Sequence, residues 1–480
     1  AAMPENTSIL SNATREPRAA GLLGFLAWIA AMLVLVTLAV LGPLLFPAKS
    51  THLQLGPDLP IRFLEDRAGT LTVDQVAALP DTAFTPSRTP LNQGYTQSVF
   101  WVRVDAPPLA PTSALADDDP LWLEVRPPHL DRLTLYQREG DHWRERTNGD
   151  SVLMSQRVQV RQLMFPLKPH QPLLLRVKST SSVVVYGRVW RDSDLLAGLS
   201  RIEWASGAHL GIALILTLLL GGAALALRTR GLAASAALAL AILVHTLNAR
   251  GYPLLWLPES KAEWFDLSVQ FGVFVLPAAF AWQGRELFTY RSGRRWLDRL
   301  MVLHALTLLA CILSVPAGLY GRVTWFAVFS PWLTATACTV IAWTDMHRRG
   351  VTLVRVLMAV PYTMHTLLGL YVGATYTGLT HSLVEVDLYW QAEALLLEIM
   401  LAVALGTNLA ARFQYAQRRQ AQLVDSLARS EQALDERVRQ RTAELRQAQN
   451  TLQAALDSER EMREEQRQFF NMVNHEFRTP

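Results

Sequence analysis

The chain has 480 residues, of which 50% are hydrophobic and only 18% are charged. This composition, with a mean hydropathy of +0.16, is too apolar for a soluble protein of two or three domains, so much of the chain must face lipid. The net charge is +4, but the arginines lie beside apolar segments where membrane topology accounts for them, and we expect no nucleic-acid binding.

The sequence contains eight apolar segments of about the length that a membrane-spanning helix requires, which is roughly 20 residues. These segments are residues 20–46, 207–227, 232–248, 266–283, 299–319, 324–344, 352–372 and 389–411. The first follows Arg15 and Arg18 and is either a membrane anchor or a cleaved signal peptide. Its length and the prolines at its exit, Pro43 and Pro47, favour an anchor behind a cytoplasmic tail of residues 1–19.

The basic residues give the orientation of these segments. They cluster in alternate loops, at Arg228, Arg230, Arg285, Arg291, Arg294, Arg295, Arg299, Arg348, Arg349, Arg412, Arg418 and Arg419. Loops rich in arginine face the cytoplasm. The sequence therefore predicts an outer domain at residues 47–206, a seven-helix domain at residues 207–411 and a cytoplasmic C-terminus.

The outer region, residues 50–195, consists of short apolar or alternating runs separated by Pro, Gly and Asp. Runs at residues 98–104, 121–125, 133–136, 173–177 and 183–189 have the length and pattern of strands. Their regular spacing predicts a β-sandwich.

Three strings in this region resemble a known module. F-W-V-R-V (100–104), L-E-V-R-P-P-H-L-D-R-L-T-L-Y (123–136) and R-Q-L-M-F-P-L (161–167) are similar to the extracellular module of bacterial seven-transmembrane diverse-intracellular-signalling receptors. The resemblance extends over residues 50–411. It implies a jelly-roll-like periplasmic domain related to carbohydrate-binding modules, a multi-pass protein of the bacterial inner membrane, and a small-molecule or glycan ligand.

Aromatic and basic side chains of the outer region are candidates for a sugar-stacking face. The candidates are Trp101, Trp122, Arg126 and Trp143, with Arg103 and Tyr136 near them in sequence. Packing in the core is the more frequent role of aromatic residues in strands, and it is the main alternative. His129 and His170 are isolated, so the sequence indicates no metal site.

Ionisable residues also occur within or near the apolar helices. They include His209, His245, His304, His365 and Glu398. A carboxylate as deep as Glu398 needs a partner, for which one of these histidines is a candidate. Interhelical hydrogen bonding is the favoured interpretation, although a transporter would use such residues too; no paired broken helices or internal repeat supports that alternative.

Residues 412–470 contain neither Gly nor Pro and predict one long helix. Apolar residues recur on an a/d seam at Val424, Leu427, Leu434, Val438, Leu445, Ala448, Leu452, Ala455, Met462 and Phe469, interrupted by Glu431, Arg441, Glu459 and Gln466. This period predicts a parallel, homodimeric coiled coil over residues 412–465. Residues 434–445 also resemble the linker that joins a last transmembrane helix to a histidine-kinase core.

The final residues, 469–480, read F-F-N-M-V-N-H-E-F-R-T-P. A neutral imidazole attacks a phosphoryl group only if a base accepts its other ring proton, and Glu476 directly follows His475. The string resembles the H-box of sensor histidine kinases, which implies His475 as phosphoacceptor, Glu476 as its general base and Thr479 as a residue that assists dephosphorylation of a response regulator. A zinc-protease motif is excluded because position 479 is not His.

Together these features predict a multidomain membrane protein. Its parts are an all-β extracytoplasmic sandwich, an α-helical transmembrane bundle, a dimeric coiled coil and, at residues 466–480, the start of a helical phosphoacceptor domain. We expect a longer protein that continues into an ATP- and Mg²⁺-binding catalytic domain, and we expect residues 1–480 to bind neither. The function predicted is a sensor histidine kinase that phosphorylates a response regulator. The alternative is a non-enzymatic receptor that modulates another histidine kinase by heterodimerisation.

Overall fold

The computed structural model describes residues 52–105, 120–169, 171–256, 258, 262–289, 295–376, 379 and 386–476. The predicted anchor at residues 20–46 and His170 lie outside the described residues. The chain divides into two units, Ala1–Asn408 and Leu409–Pro480.

The first unit begins with eleven described strands. They are β1 (His52–Gln54), β2 (Ile61–Asp66), β3 (Thr85–Ser87), β4 (Leu91–Tyr95), β5 (Val99–Val104), β6 (Leu121–Arg126), β7 (Arg132–Glu139), β8 (His142–Asn148), β9 (Leu163–Leu167), β10 (Leu173–Lys178) and β11 (Ser182–Arg191). One sheet has the order β3-β2-β5-β10-β7-β8, and the other has the order β1-β11-β6-β9, with β4 also paired to β11. All the pairs between these strands are antiparallel, and the module is all-β as predicted.

A single apolar core joins the two sheets. Phe100, Val102 and Val104 of β5 contribute alternate side chains to it, together with Leu123 and Val125 of β6 in the opposite sheet. Successive side chains of a strand point to opposite faces, so this alternation directs every second residue of each strand into the space between the sheets.

The six-stranded sheet is also covered on its outer face. The short helix Val73–Ala77, which starts at a capping box between Thr72 and Gln75, places Val76 there. Val76 packs with Trp101 and Leu174 in a separate apolar cluster. Because of this cover, strands β5 and β10 are buried on both faces.

Seven described helices are long and apolar enough to cross a membrane. They belong to α1 (Asp192–Leu227), α2 (Arg230–Ala249), α3 (Ala262–Gly284), α4 (Arg295–Ala310), α5 (Tyr320–Arg349), α6 (Leu353–Tyr376) and α7 (Val386–Glu476). Seven of the eight predicted spans are thereby confirmed as apolar helices.

Helix α1 starts well before the apolar span that was predicted from residue 207, because it begins at Asp192. The added turns are too polar to register as membrane core. Asp192 and Asp194 lie in the first turn, where acidic side chains stabilise a helix by their interaction with its dipole.

The described part of the second unit, residues 409–476, belongs entirely to α7. The predicted long helix is therefore present. Its seam side chains are exposed on the single chain, for example Leu434, Leu445 and Leu452 at 61%, 71% and 63%. Dimerisation and the phosphoacceptor domain stay predictions.

Candidate functional site

The β module joins the first membrane helix without a loop. Strand β11 ends at Arg191 and α1 begins at Asp192. The backbone N–H of Asp192 donates to the carbonyl of Pro120 over 2.9 Å, and Trp122 donates its Nε1–H to Asp192 Oδ1 over 2.7 Å. The helix start is therefore fixed to the β module through both backbone and side chain.

Trp190 makes a second contact at this junction. It lies opposite Trp122 in the β11–β6 register and donates its Nε1–H to Glu124 Oε2 over 2.9 Å. Its ring packs directly on α1 at Gly198, where an added Cβ would come within 2.3 Å of the ring. Only glycine allows the helix to approach the ring so closely.

Glu124 is fully buried beneath this contact. Arg126 donates from Nε to Glu124 Oε1 over 2.7 Å, and Arg188 Nη1 lies 3.9 Å from Oε2. Burial would raise the pKa of Glu124, but the charges of Arg126 and Arg188 outweigh it and hold the pKa below its ordinary value. Burial lowers the pKa of Arg126 to about 10, so the guanidinium also stays charged at neutral pH.

Arg161, in the loop between β8 and β9, ties the module to two further parts of the bundle. It donates from Nε to Glu203 Oε1 of α1 over 2.7 Å and from Nη1 to the carbonyl of Arg250, just after α2, over 2.9 Å. Gln162 and Tyr252 also donate to the Glu203 carboxylate, over 2.6 and 3.1 Å. We call Arg161, Gln162, Glu203 and Tyr252 the Arg161 cluster.

Within the bundle, α1 is joined to α7 by a buried polar pair. His209 Nδ1 lies 3.2 Å from Glu398 Oε1, and both side chains are almost completely buried. The prediction that Glu398 pairs with one of the helix histidines is confirmed. Since α1 follows the β module and α7 continues to residue 476, the pair links the entry and exit helices of the bundle.

The other helix histidines have different surroundings. His304 Nε2 lies 2.7 Å from the hydroxyl of Ser330. His365 packs edge-on against Phe280, and within the described part of the chain its two ring nitrogens have no hydrogen-bond partner. His245 has its Nδ1 buried beside Gly272.

The structure does not bring the four predicted ligand residues to one face. Trp101 is 1% exposed and stacks on Tyr136 with ring centroids 5.7 Å apart. Trp143 packs in the same cluster and donates to Asp74 over 2.9 Å. Trp122 and Arg126, in contrast, lie in the junction described above. Trp101 is therefore packed in the core, which was the alternative to a role in ligand binding.

Sequence reasoning missed Glu124, Arg161 and Glu203. The one signal for Glu124 was a carboxylate inside the otherwise apolar run of β6. Arg161 and Glu203 are 42 positions apart in sequence and meet only through the fold.

The predicted phosphoacceptor, His475, is exposed near the C-terminal end of α7. Glu476 is the last residue of that helix. The side chain of Glu476 and the whole of Thr479 lie outside the described residues.

Comparison with known protein families identifies the β module. Residues 60–191 match the family model described as 7TMR-DISM extracellular 2, which takes in β2 through β11. No curated protein sequence matches the chain significantly. The matched module and the seven apolar helices support a multi-pass membrane protein built like a seven-transmembrane receptor, with an extracellular, sensor-like domain.

Proposed function

We propose that this chain is the sensory and membrane-spanning part of a transmembrane histidine kinase of a two-component system. The observation that carries the proposal is the continuity of α7. One helix starts in the bundle, contains the buried Glu398 and runs on to His475, the histidine of the H-box-like string. A receptor that controls chemistry at His475 needs such a mechanical connection.

The chemistry proposed at His475 is phosphoryl transfer. One ring nitrogen forms a bond to the γ-phosphorus of ATP while the bond from that phosphorus to the β–γ bridging oxygen breaks, and ADP leaves. Glu476 accepts the proton from the other ring nitrogen. ATP and Mg²⁺ are held by a catalytic domain outside residues 1–480, and an aspartate of a response regulator then takes the phosphoryl group.

The proposed relay begins in the β module, where a carbohydrate-like or other small ligand binds on the outer side of a bacterial inner membrane. Movement of the module passes directly into α1, because Trp122 and Trp190 hold the start of that helix. The pair His209–Glu398 then passes it to α7. Two α7 helices of a homodimer pack through the exposed seam, and a change in their packing alters access to His475.

The test is phosphorylation of the natural full-length protein in membrane vesicles with ATP labelled on its γ-phosphate. We expect acid-labile label on the unchanged protein and none on His475→Gln. His347→Gln is the matched control, since His347 is an exposed histidine at the end of α5. Undiminished label on His475→Gln would overturn the assignment of the phosphoacceptor.

The second candidate is a non-enzymatic receptor that pairs with another histidine kinase. The exposed seam of α7 favours it as much as it favours a homodimer, because an apolar stripe accepts either partner helix. Absence of label from a full-length protein that demonstrably binds ATP would favour this candidate.

A further inference from the structure

A cavity of about 100 Å³ lies in the bundle between α2, α3 and α7. It is lined by Ile242, His245, Thr246, Ala249, Arg250, Leu276, Glu393, Ala394 and Leu397. A single ordered water molecule needs only about 10–15 Å³ of cavity volume, so this cavity has room for a small molecule.

Arg250 is the unusual residue of this lining. It is 6% exposed. Its backbone is fully used, since its N–H donates to Thr246 and its carbonyl accepts from Arg161. Among the described residues, however, its guanidinium group makes no hydrogen bond and no ion pair within 4 Å. Leaving a buried charged group without a partner is costly, so the group requires a ligand or ordered water.

The two carboxylates that come closest to serving Arg250 already have partners. Glu203 accepts from Arg161, and Glu398 is paired with His209. Both lie within electrostatic range of Arg250, but neither forms a direct ion pair with it in the described part of the chain. The fold thus keeps the guanidinium group available to the cavity.

The cavity also contains a carboxyl group. Glu393 of α7 lines it and is half-buried. Within the described residues its carboxylate has no hydrogen bond, and it forms no ion pair within 4 Å with Arg250. An anion alone would leave the Glu393 carboxyl without a partner, and a cation alone would leave the Arg250 guanidinium without one. A ligand that carries both charges satisfies both groups.

The remaining lining is mostly aliphatic, with His245 and Thr246 as its other polar members. Ile242, Leu276 and Leu397 offer an apolar wall for a short side chain. We propose that the cavity binds a small zwitterion, an aliphatic α-amino acid, whose carboxylate pairs with Arg250 and whose ammonium group pairs with Glu393. This site lies in the membrane domain and requires no kinase activity, so it goes beyond the function proposed above.

Calorimetry on the purified chain in lipid nanodiscs tests the site with L-alanine as the probe. Propionate and ethylamine serve as analogues that each carry one of the two charges. We expect L-alanine to bind with a Kd of about 1 mM or below, and each analogue to bind with a Kd at least about tenfold higher. Equal binding of propionate and L-alanine would overturn the zwitterion assignment, as would the absence of binding heat with L-alanine at about 10 mM.

Variants locate the binding. Arg250→Gln and Glu393→Gln should each weaken L-alanine binding at least about tenfold, whereas Arg322→Gln, an exposed arginine of α5, should leave it unchanged. Leu276→Trp fills the cavity while keeping both charged groups, so it should abolish binding even if the charge variants fold poorly. Unchanged binding in Leu276→Trp would show that the zwitterion sits elsewhere and would overturn the proposal.

Discussion

Replacing Arg161 by alanine should loosen the attachment of the β module to the helices. Arg161 is 7% exposed and donates to Glu203 from Nε over 2.7 Å and to the carbonyl of Arg250 from Nη1 over 2.9 Å. Its Nη2 also lies 2.6 Å from Glu203 Oε1. The alanine variant removes all of these bonds and leaves the carbonyl of Arg250 without this donor.

The expected magnitude follows from the burial of the two partners. Breaking a fully buried ion pair costs about 3–5 kcal/mol. The Glu203 side chain, however, is 39% exposed, and it keeps its bonds from Gln162 and Tyr252. We therefore expect a loss of about 2–3 kcal/mol, which corresponds to roughly a 30- to 150-fold rise in the undocked population.

Hydrogen exchange measures this population directly, because amides of a segment exchange in proportion to its opening. Peptides that cover residues 150–162, the loop that contains Arg161, should exchange about 30-fold faster or more in Arg161→Ala. Arg144→Ala is the control, since Arg144 is an exposed arginine of β8 whose contact with Glu139 is 3.6 Å long. If Arg161→Ala changed exchange no more than Arg144→Ala, the Arg161 cluster would not be what holds the module to the bundle.

Three further outcomes are expected. Gly198→Val forces a side chain into the ring of Trp190 and should destabilise the protein by about 1–3 kcal/mol. Gly207→Val is the control and should not destabilise it, because Gly207 faces open space on the same helix. Equal melting temperatures of the two variants would contradict the contact between Trp190 and Gly198. Burial lowers the pKa of His129 from 6.5 to about 4, so the stability contributed by its neutral ring is complete above pH 6.5 and is lost as the pH falls to about 4. The free energy of unfolding, obtained from melting curves, should therefore fall by up to about 3 kcal/mol more in the native protein than in His129→Gln over that range. If the unfolding free energies of the two proteins changed in parallel with pH, this prediction would be refuted. Leu452→Lys should weaken dimerisation of α7 at least about tenfold in mass photometry without changing the melting temperature of the monomer, because the side chain is exposed there.

Features that depend on a local stretch of sequence could be predicted. An apolar run of about 20 residues is recognisable without knowledge of its neighbours, and the seven described membrane-spanning helices were predicted in this way. The strands of the β module and the long helix that continues to Glu476 were also predicted from local sequence. The pairing of Glu398 with a histidine was also predictable, because a carboxylate at that depth needs a partner.

Features that depend on distant residues could not. Strand alternation places Trp101 on the outer face of its sheet, but the helix Val73–Ala77 that covers this face is only five residues long and left no clear signal. Trp101 is therefore packed beneath this helix, apart from Trp122 and Arg126 at the junction with α1. Likewise, nothing local to Arg250 reveals that its possible carboxylate partners are engaged elsewhere.

The direct passage from β11 into α1 fixes the rotational phase of the β module about the helix axis. Each residue of an α-helix turns the chain by about 100°. Strand β11 ends at Arg191 and α1 begins at Asp192, so no flexible linker lies between them to absorb a change in this rotation. Inserting one residue into the first turns of α1 would therefore aim the whole module in another direction and separate Trp190 from Gly198. Chimaeric receptors that exchange this module should place the crossover inside α1 and keep whole heptads, so that the transplanted domain faces the membrane helices at its original angle.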